Sequence, residues 1–188
     1  VLAHGVGVLF LVPQAEQGLI ERLGFGAPGA FVVTLLLLEL FGYWLHRAFH
    51  VLPWLWRIHA VHHSDIEVDA TTAHRHHPLE PLISTVITLP VVLVLGIEPI
   101  ILLAYNVLRL VVAVISHGNL SLPPAIEKAL RSVLVTPDFH RMHHSAERRY
   151  TDSNYSTILP LYDYLFRTAS HMERDQQRTM TLGLERFR

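Results

Sequence analysis

One pattern constrains this chain more than any other: H-x-x-H-H-S occurs twice, as HAVHHS at residues 59–64 and HRMHHS at 140–145. On a helix, positions i, i+3 and i+4 share a face, so each copy projects three imidazoles in one direction. HRAFH adds His46 and His50 at i, i+4. These eight side chains, His46, His50, His59, His62, His63, His140, His143 and His144, point to a polynuclear metal site. A mononuclear zinc site needs only three or four ligands, so the excess argues for two ions. One such motif would be a weak signal, because surface histidines cluster by chance. Two copies plus H-x-x-x-H are much harder to dismiss. Twelve of the 14 histidines lie in the segments 46–50, 59–63, 74–77, 117 and 140–144; only His4 and His171 fall outside. His4 is read as structural.

The remaining composition says where such a site would sit. Of 188 residues, 51% are hydrophobic and 16% charged, with mean hydropathy +0.33, a balance that points to membrane segments. The net charge of −1 gives no reason to expect a nucleic-acid partner. With no cysteine, disulfides, thiolate-ligated haem, cysteine-bound iron–sulfur clusters and thiol catalysis are excluded. HEXXH is also absent.

The chain begins with valine inside an apolar run, residues 1–12, which is expected to be the end of a truncated membrane helix stopped by Pro13. Residues 14–29 read as a loop. Residues 30–45 form a second apolar run that leads into HRAFH and approaches the ~20 residues needed to cross a bilayer. Glu39, on one stripe with Tyr43, His46 and His50, is either a hydrogen-bond acceptor behind a histidine or half of an ion pair. Trp54 and Trp56 suit a membrane interface. Residues 65–73 read as a loop, and Pro78 and Pro81 disfavour a regular helix through HRHHPLEP. Residues 82–97 and 100–116 form a helical hairpin, which returns His117 to the side of the other clusters. Asn106 shares a face with His117, and Arg109 is left with a choice of Glu39, headgroups or a polar cavity. An interfacial helix is expected over 125–135 with Glu127, Lys128 and Arg131 outward. Thr136-Pro137 is a helix start. The aromatic stretch 154–168 packs on the soluble face, and 169–188 is a peripheral tail. Residues 46–80 and 118–188 together hold 13 of the 15 Lys plus Arg, which predicts a cytoplasmic histidine side.

The ordered motifs H-R-x-x-H, H-x-x-H-H-S, R-x-H-P-L-E, H-x-N-L, T-P-x-F-H-R-x-H-H-S and D-x-N-Y, over about residues 36–168, resemble the fatty acid hydroxylase / sterol desaturase superfamily. The resemblance implies an all-α integral membrane bundle of about four membrane helices, with a cytosolic helical cap carrying the histidine boxes, in a single domain over 1–188. It implies two non-haem irons on the eight box histidines, with zinc able to occupy the site in a purified sample. His77, at the R-x-H-P position, and His117 are additional ligands by the same resemblance, whereas His74 and His76 have no match. Where some fatty acyl hydroxylases have a further histidine, this chain has Ala113, a departure that favours the sterol-desaturase-like branch. Asn154 is a further candidate for a place behind the ligands, with Glu39 in the first of its two readings and Asn106, whose alternative is a polar helix–helix contact. Ser156 and Arg167 stand where relatives often carry glycine.

The expected activity is O₂-dependent hydroxylation or desaturation of an apolar lipid, a sterol, fatty acyl chain or related molecule. The lipid would enter between the helices 30–50 and 82–117. Electrons would come from a separate ferredoxin- or cytochrome-type donor, which Arg131, Arg141, Arg148 and Arg149 could dock if they do not meet headgroups instead. Two other classes fit less well: a membrane metal-binding or transport protein, which would need polar ligands along its helices, and a zinc-dependent lipid hydrolase.

Overall fold

The computed structural model describes residues 18–185; the 1–12 run and His4 lie outside the described residues. Among the described residues the protein is all-helical, with one isolated antiparallel bridge between Ser145 and Leu182. Its helices are α1 (Leu19–Arg22), α2 (Ala27–Val51), α3 (Pro53–His63), α4 (Leu79–Leu95), α5 (Pro99–His117), α6 (Pro124–Leu130), α7 (Pro137–His143), α8 (Arg148–Thr151), α9 (Leu161–Leu165) and α10 (Arg174–Thr179), with a 3₁₀ turn at Thr72–His74.

Helix α2 starts earlier than its apolar run suggested, with a proline in its first turn, and its 25 residues extend ~38 Å. It buries Ala30, Thr34, Leu38, Glu39 and Tyr43 along one stripe and exposes Val32, Leu36 and Leu37 on the other side. Pro53 ends it, because the residue before a proline is disfavoured in the helical region; Leu52 is extended (φ −88°, ψ 118°) and α3 turns away at once. Helices α2 and α5 are each long and apolar enough to cross a bilayer, while α4, with 17 residues and Pro90 inside it, is shorter. Their outer faces expose Val86, Val94, Leu103, Val107 and Val111, and an apolar surface of that extent suits lipid better than water.

The hairpin between α4 and α5 turns on Gly96 in the left-handed region (φ 62°, ψ 46°), with its N–H donating to Leu93 O and Val92 O. A Cβ on Gly96 would also overlap the Cα of Gly18, so both positions need glycine. The core runs from Leu38 and Val92 through Leu102 and Tyr105 to Phe139 and Ile158, and so joins the apolar helices to the segments that follow α6.

Four local expectations differ from the structure. Leu19–Arg22 is helical, not loop, because Ile20 is drawn into the core. Glu127 is buried, not outward: it accepts from Thr136 Oγ1 (2.6 Å) and pairs with Arg131 (2.8 Å). Trp56 is half-buried against the rings of His50 and His63, which its position one turn ahead of the histidines on α3 brings about. The segment after residue 169 is not peripheral. Met172 packs with Met142 and Tyr150, and Gly183 N–H donates to His144 O (3.2 Å).

Candidate metal centre

Four helix ends meet at one place. The last two turns of α2 supply His46 and His50, the last two turns of α3 supply His59, His62 and His63, α5 ends on His117, and α7 carries His140 and His143 with His144 as its C-cap. Thr136 starts α7 as expected, its hydroxyl accepting from Phe139 N (3.3 Å). The imidazoles divide into two adjoining groups whose nitrogens lie within 4.8 Å of one another: His46, His50, His59, His63 and His143 in one, His62, His117, His140 and His144 in the other. His63 and His144 stack across the division, with ring centroids 4.6 Å apart.

The hydrogen bonds determine which nitrogen of each ring is free. His46 Nδ1 donates to Tyr155 O (2.6 Å), His143 Nδ1 to Ser153 O (2.6 Å), His117 Nδ1 to Ala113 O (2.7 Å) and His62 Nδ1 to Arg75 O (3.2 Å). A carbonyl only accepts, so in each ring the proton sits on Nδ1 and Nε2 carries a lone pair. His59 Nδ1 faces Glu80 Oε1 at 3.0 Å, which fixes the same tautomer. The Nε2 atoms of these rings nevertheless face one another: His46 with His59 at 3.0 Å, His46 with His143 at 3.2 Å, and His62 with His117 at 3.3 Å. Two lone pairs at that distance repel unless a cation lies between them.

Protons are poor candidates for that cation. Burial, reinforced by the neighbouring imidazoles, lowers the pKa of His62, His63, His140, His143 and His144 below the usual histidine value. A metal ion fits, since nitrogens bound to a shared ion at about 2.1 Å lie roughly 3 Å apart. His63 is also buried with neither ring nitrogen hydrogen-bonded, and buried His50 has Asp152 Oδ1 3.5 Å from Nδ1 and no partner at Nε2, which leaves nitrogens of both rings free to coordinate. The Nδ1–H···O=C bonds and the carboxylate behind His59 are the outer partners that orient metal-bound imidazoles. An all-nitrogen donor set of this kind suits iron, zinc, copper or nickel.

The structure brings nine of the ten sequence-proposed ligands into these two groups and leaves out His77. That side chain is engaged locally, its Nδ1 accepting from Leu79 N (3.2 Å). His76 lies inward instead, stacked on His62 (4.5 Å) and 3.0 Å from Glu80, where it forms a further cluster with His59 and Glu80. His74 is exposed. Glu39 does not reach a histidine or form an ion pair; it accepts from Ile158 N (2.7 Å), Leu159 N (3.2 Å) and Tyr105 OH (3.1 Å). Asn106 donates to Leu102 O on its own helix (2.9 Å). Asn154 donates to Phe139 O (2.8 Å) and accepts from Ser170 N (2.8 Å), and its left-handed backbone (φ 54°) turns the carbonyls of Ser153 and Tyr155 toward the imidazoles.

Glu80 was missed from sequence. It stands at the acidic position of R-x-H-P-L-E, but no helical spacing relates it to His59, 21 residues earlier. The loop between them is ordered by Asp65, which accepts from Thr72 Oγ1 (2.7 Å) and pairs with Arg75 (3.3 Å). Of the four arginines proposed for donor docking, three are matched by carboxylates: Arg131 by Glu127, Arg148 by Asp152 and Arg149 by Glu147. Arg141 donates to Asn119.

A cavity of about 160 Å³ opens from His46, His59, His62, His117 and His140 and runs between α2, α4 and α5. Leu38, Leu45, Phe49, Val92 and Leu102 give it apolar walls, and Arg109 lines it.

The profile of the fatty acid hydroxylase family matches residues 31–168. Among individual proteins, a very-long-chain aldehyde decarbonylase of Oryza sativa subsp. indica is 32% identical over 145 residues, which cover 69% of this chain and 21% of that protein. Human alkylglycerol monooxygenase is 31% identical over 128 residues, covering 67% of this chain and 27% of its own length. The chain thus spans less than a third of these relatives. No solved structure matches it significantly.

Proposed function

This chain belongs to the fatty acid hydroxylase family, and on that premise we propose that it is a membrane-embedded di-iron oxygenase that hydroxylates or desaturates a lipid with O₂ and electrons from a separate donor. The observation that carries the reading is the pair of adjoining imidazole groups whose Nε2 lone pairs face one another.

His46, His50, His59, His63 and His143 would hold one iron, and His62, His117, His140 and His144 the other. Bound there, the irons would supply O₂ activation and attack on an unactivated C–H bond. The residues of the chain do the rest. The carbonyls of Ser153, Tyr155, Ala113 and Arg75 hold the ring orientations, and Glu80 holds His59. Leu38, Leu45, Phe49 and Leu102 keep water from the cavity and grip an apolar chain. The apolar outer faces of α2, α4 and α5 support a bilayer setting. The concentration of Lys and Arg on the histidine side supports a cytoplasmic orientation.

The two named relatives are a decarbonylase of very-long-chain aldehydes and a monooxygenase of alkylglycerols, which supports a long-chain lipid as substrate. The test is metal analysis of detergent-purified protein from iron-replete cells. Two irons per chain, lost in His143→Ala, are expected. One ion or fewer, unchanged by that substitution, overturns the proposal. Two zincs with lipid turnover independent of O₂ would replace it with a hydrolase.

A further inference from the structure

The cavity contains a positive charge that its own walls do not contact with any acceptor. Arg109 lies half-buried on the stripe of α5 that also carries Leu102, Tyr105, Ala113 and His117 toward the cavity. Among the described residues, no hydrogen bond or ion pair engages its guanidinium. Glu39 is within its electrostatic reach, but the oxygens of that carboxylate already accept from Tyr105, Ile158 and Leu159. A guanidinium has five N–H donors in a fixed fork and does not lose its charge. Between apolar helices, such a group marks a ligand or a pathway. Beside it the cavity places Ser84, Thr85 and Thr88 from α4, and Asn106, whose amide nitrogen is committed to Leu102 O while its oxygen is free.

We infer that Arg109 anchors the polar head of the lipid substrate, a carboxylate or carbonyl oxygen, so that this end of the molecule enters the cavity and the methyl end stays outside. The inference rests on the reading of the site as a lipid oxygenase and extends it to the substrate's chemistry. At about 160 Å³ the cavity is smaller than the ~300 Å³ from which sites for whole ligands begin, so it takes one end of a long lipid. Arg109 and His117 are two helical turns apart, about 12 Å along the axis, on the same wall. A head held at Arg109 therefore presents to the imidazoles the carbons about 12 Å along the chain, and not its far end.

The test is equilibrium binding of radiolabelled hexadecanoate to the full chain in detergent, with displacement by hexadecanoate, methyl hexadecanoate and hexadecane, and metal content measured on the same samples. Hexadecane is expected to bind at least about tenfold more weakly than hexadecanoate, the loss of a hydrogen bond to a charged group. The ester falls between them if the carbonyl suffices and matches hexadecane if the full anion is required; either order supports the anchor. Arg109→Met should reduce hexadecanoate to the level of hexadecane, and Arg109→Lys should restore part of the difference. Equal displacement by all three probes in the wild type overturns the inference, as does an Arg109→Met protein that still discriminates. The wild-type series decides even if Arg109→Met does not fold. A chain that discriminates heads but holds no metal would sink the oxygenase and leave the anchor standing; a metal-loaded chain that does not discriminate would do the reverse.

Discussion

His46 and His143, 97 residues apart, face each other through Nε2 at 3.2 Å and donate through Nδ1 to the carbonyls on either side of Asn154. One residue in the left-handed region thus orients a ligand from each of two helices. Asn154→Val should cost about 3 kcal/mol, from the left-handed penalty of a branched side chain and the loss of two buried hydrogen bonds, and should lower metal content. Asn154→Gly keeps the backbone and should cost less. Chemical denaturation in detergent checks both, and a valine variant as stable as wild type would contradict this role.

Glu80 holds a ligand-group imidazole by a short contact, 3.0 Å from His59 Nδ1. Glu80→Ala should weaken metal binding about 10- to 100-fold, the usual effect of removing an outer partner. Glu80→Gln, which keeps an accepting oxygen, should lose less. Competition against a chelator measures both.

Glu39→Leu should destabilise the fold by about 3 kcal/mol, because it strands the buried N–H of Ile158 and the hydroxyl of Tyr105 and frees Leu159 N. Amide hydrogen exchange should accelerate first at Ile158 and Leu159. Unchanged exchange there would show that the carboxylate is not what holds this loop.

The metal-free protein should lose stability in mild acid. Five histidines outside the long apolar helices have folded pKa values lowered by burial, so the unfolded chain binds protons that the folded chain does not once the pH falls below the ordinary histidine value of about 6.5. Each contributes roughly 1 kcal/mol per pH unit below that point, until its own folded pKa is reached. Stability is therefore complete above about pH 7 and falls toward pH 5. A flat denaturation midpoint between those values would contradict the burial of these rings.

Arg167 has φ 58°, a left-handed backbone that favours glycine. Arg167→Gly should stabilise the protein by about 1 kcal/mol, because glycine adopts that conformation without a Cβ penalty. Thermal unfolding in detergent checks the sign. Ser156 is not in the left-handed region and should gain nothing from the same change.

Local order along this chain was legible because it depends on spacing. The i, i+3, i+4 histidines of α3 and α7 and Thr136 as a cap are each decided by the geometry of one or two turns. The same holds for the apolar stripes that make α2 and α5 long enough to cross a bilayer. The aromatic segment was harder. Composition said that it packs, but not that Tyr155 and Tyr162 meet Tyr43 of α2, nor that Glu39 bonds to Ile158 and Leu159 about 120 positions away, and no local rule relates these residues.

From the sequence alone one can say that eight histidines stand at helical spacings, and that, with no cysteine and few acidic residues beside them, a metal site there would be almost all nitrogen. Only the tertiary structure decides how those imidazoles divide into groups of five and four, that His76 faces inward while His77 does not, and that Glu80 and the carbonyls of Ser153 and Tyr155 set the tautomers. The reason is physical. Which face a side chain occupies is a property of a few consecutive dihedrals, whereas which lone pair meets which proton depends on how distant backbone segments pack against one another.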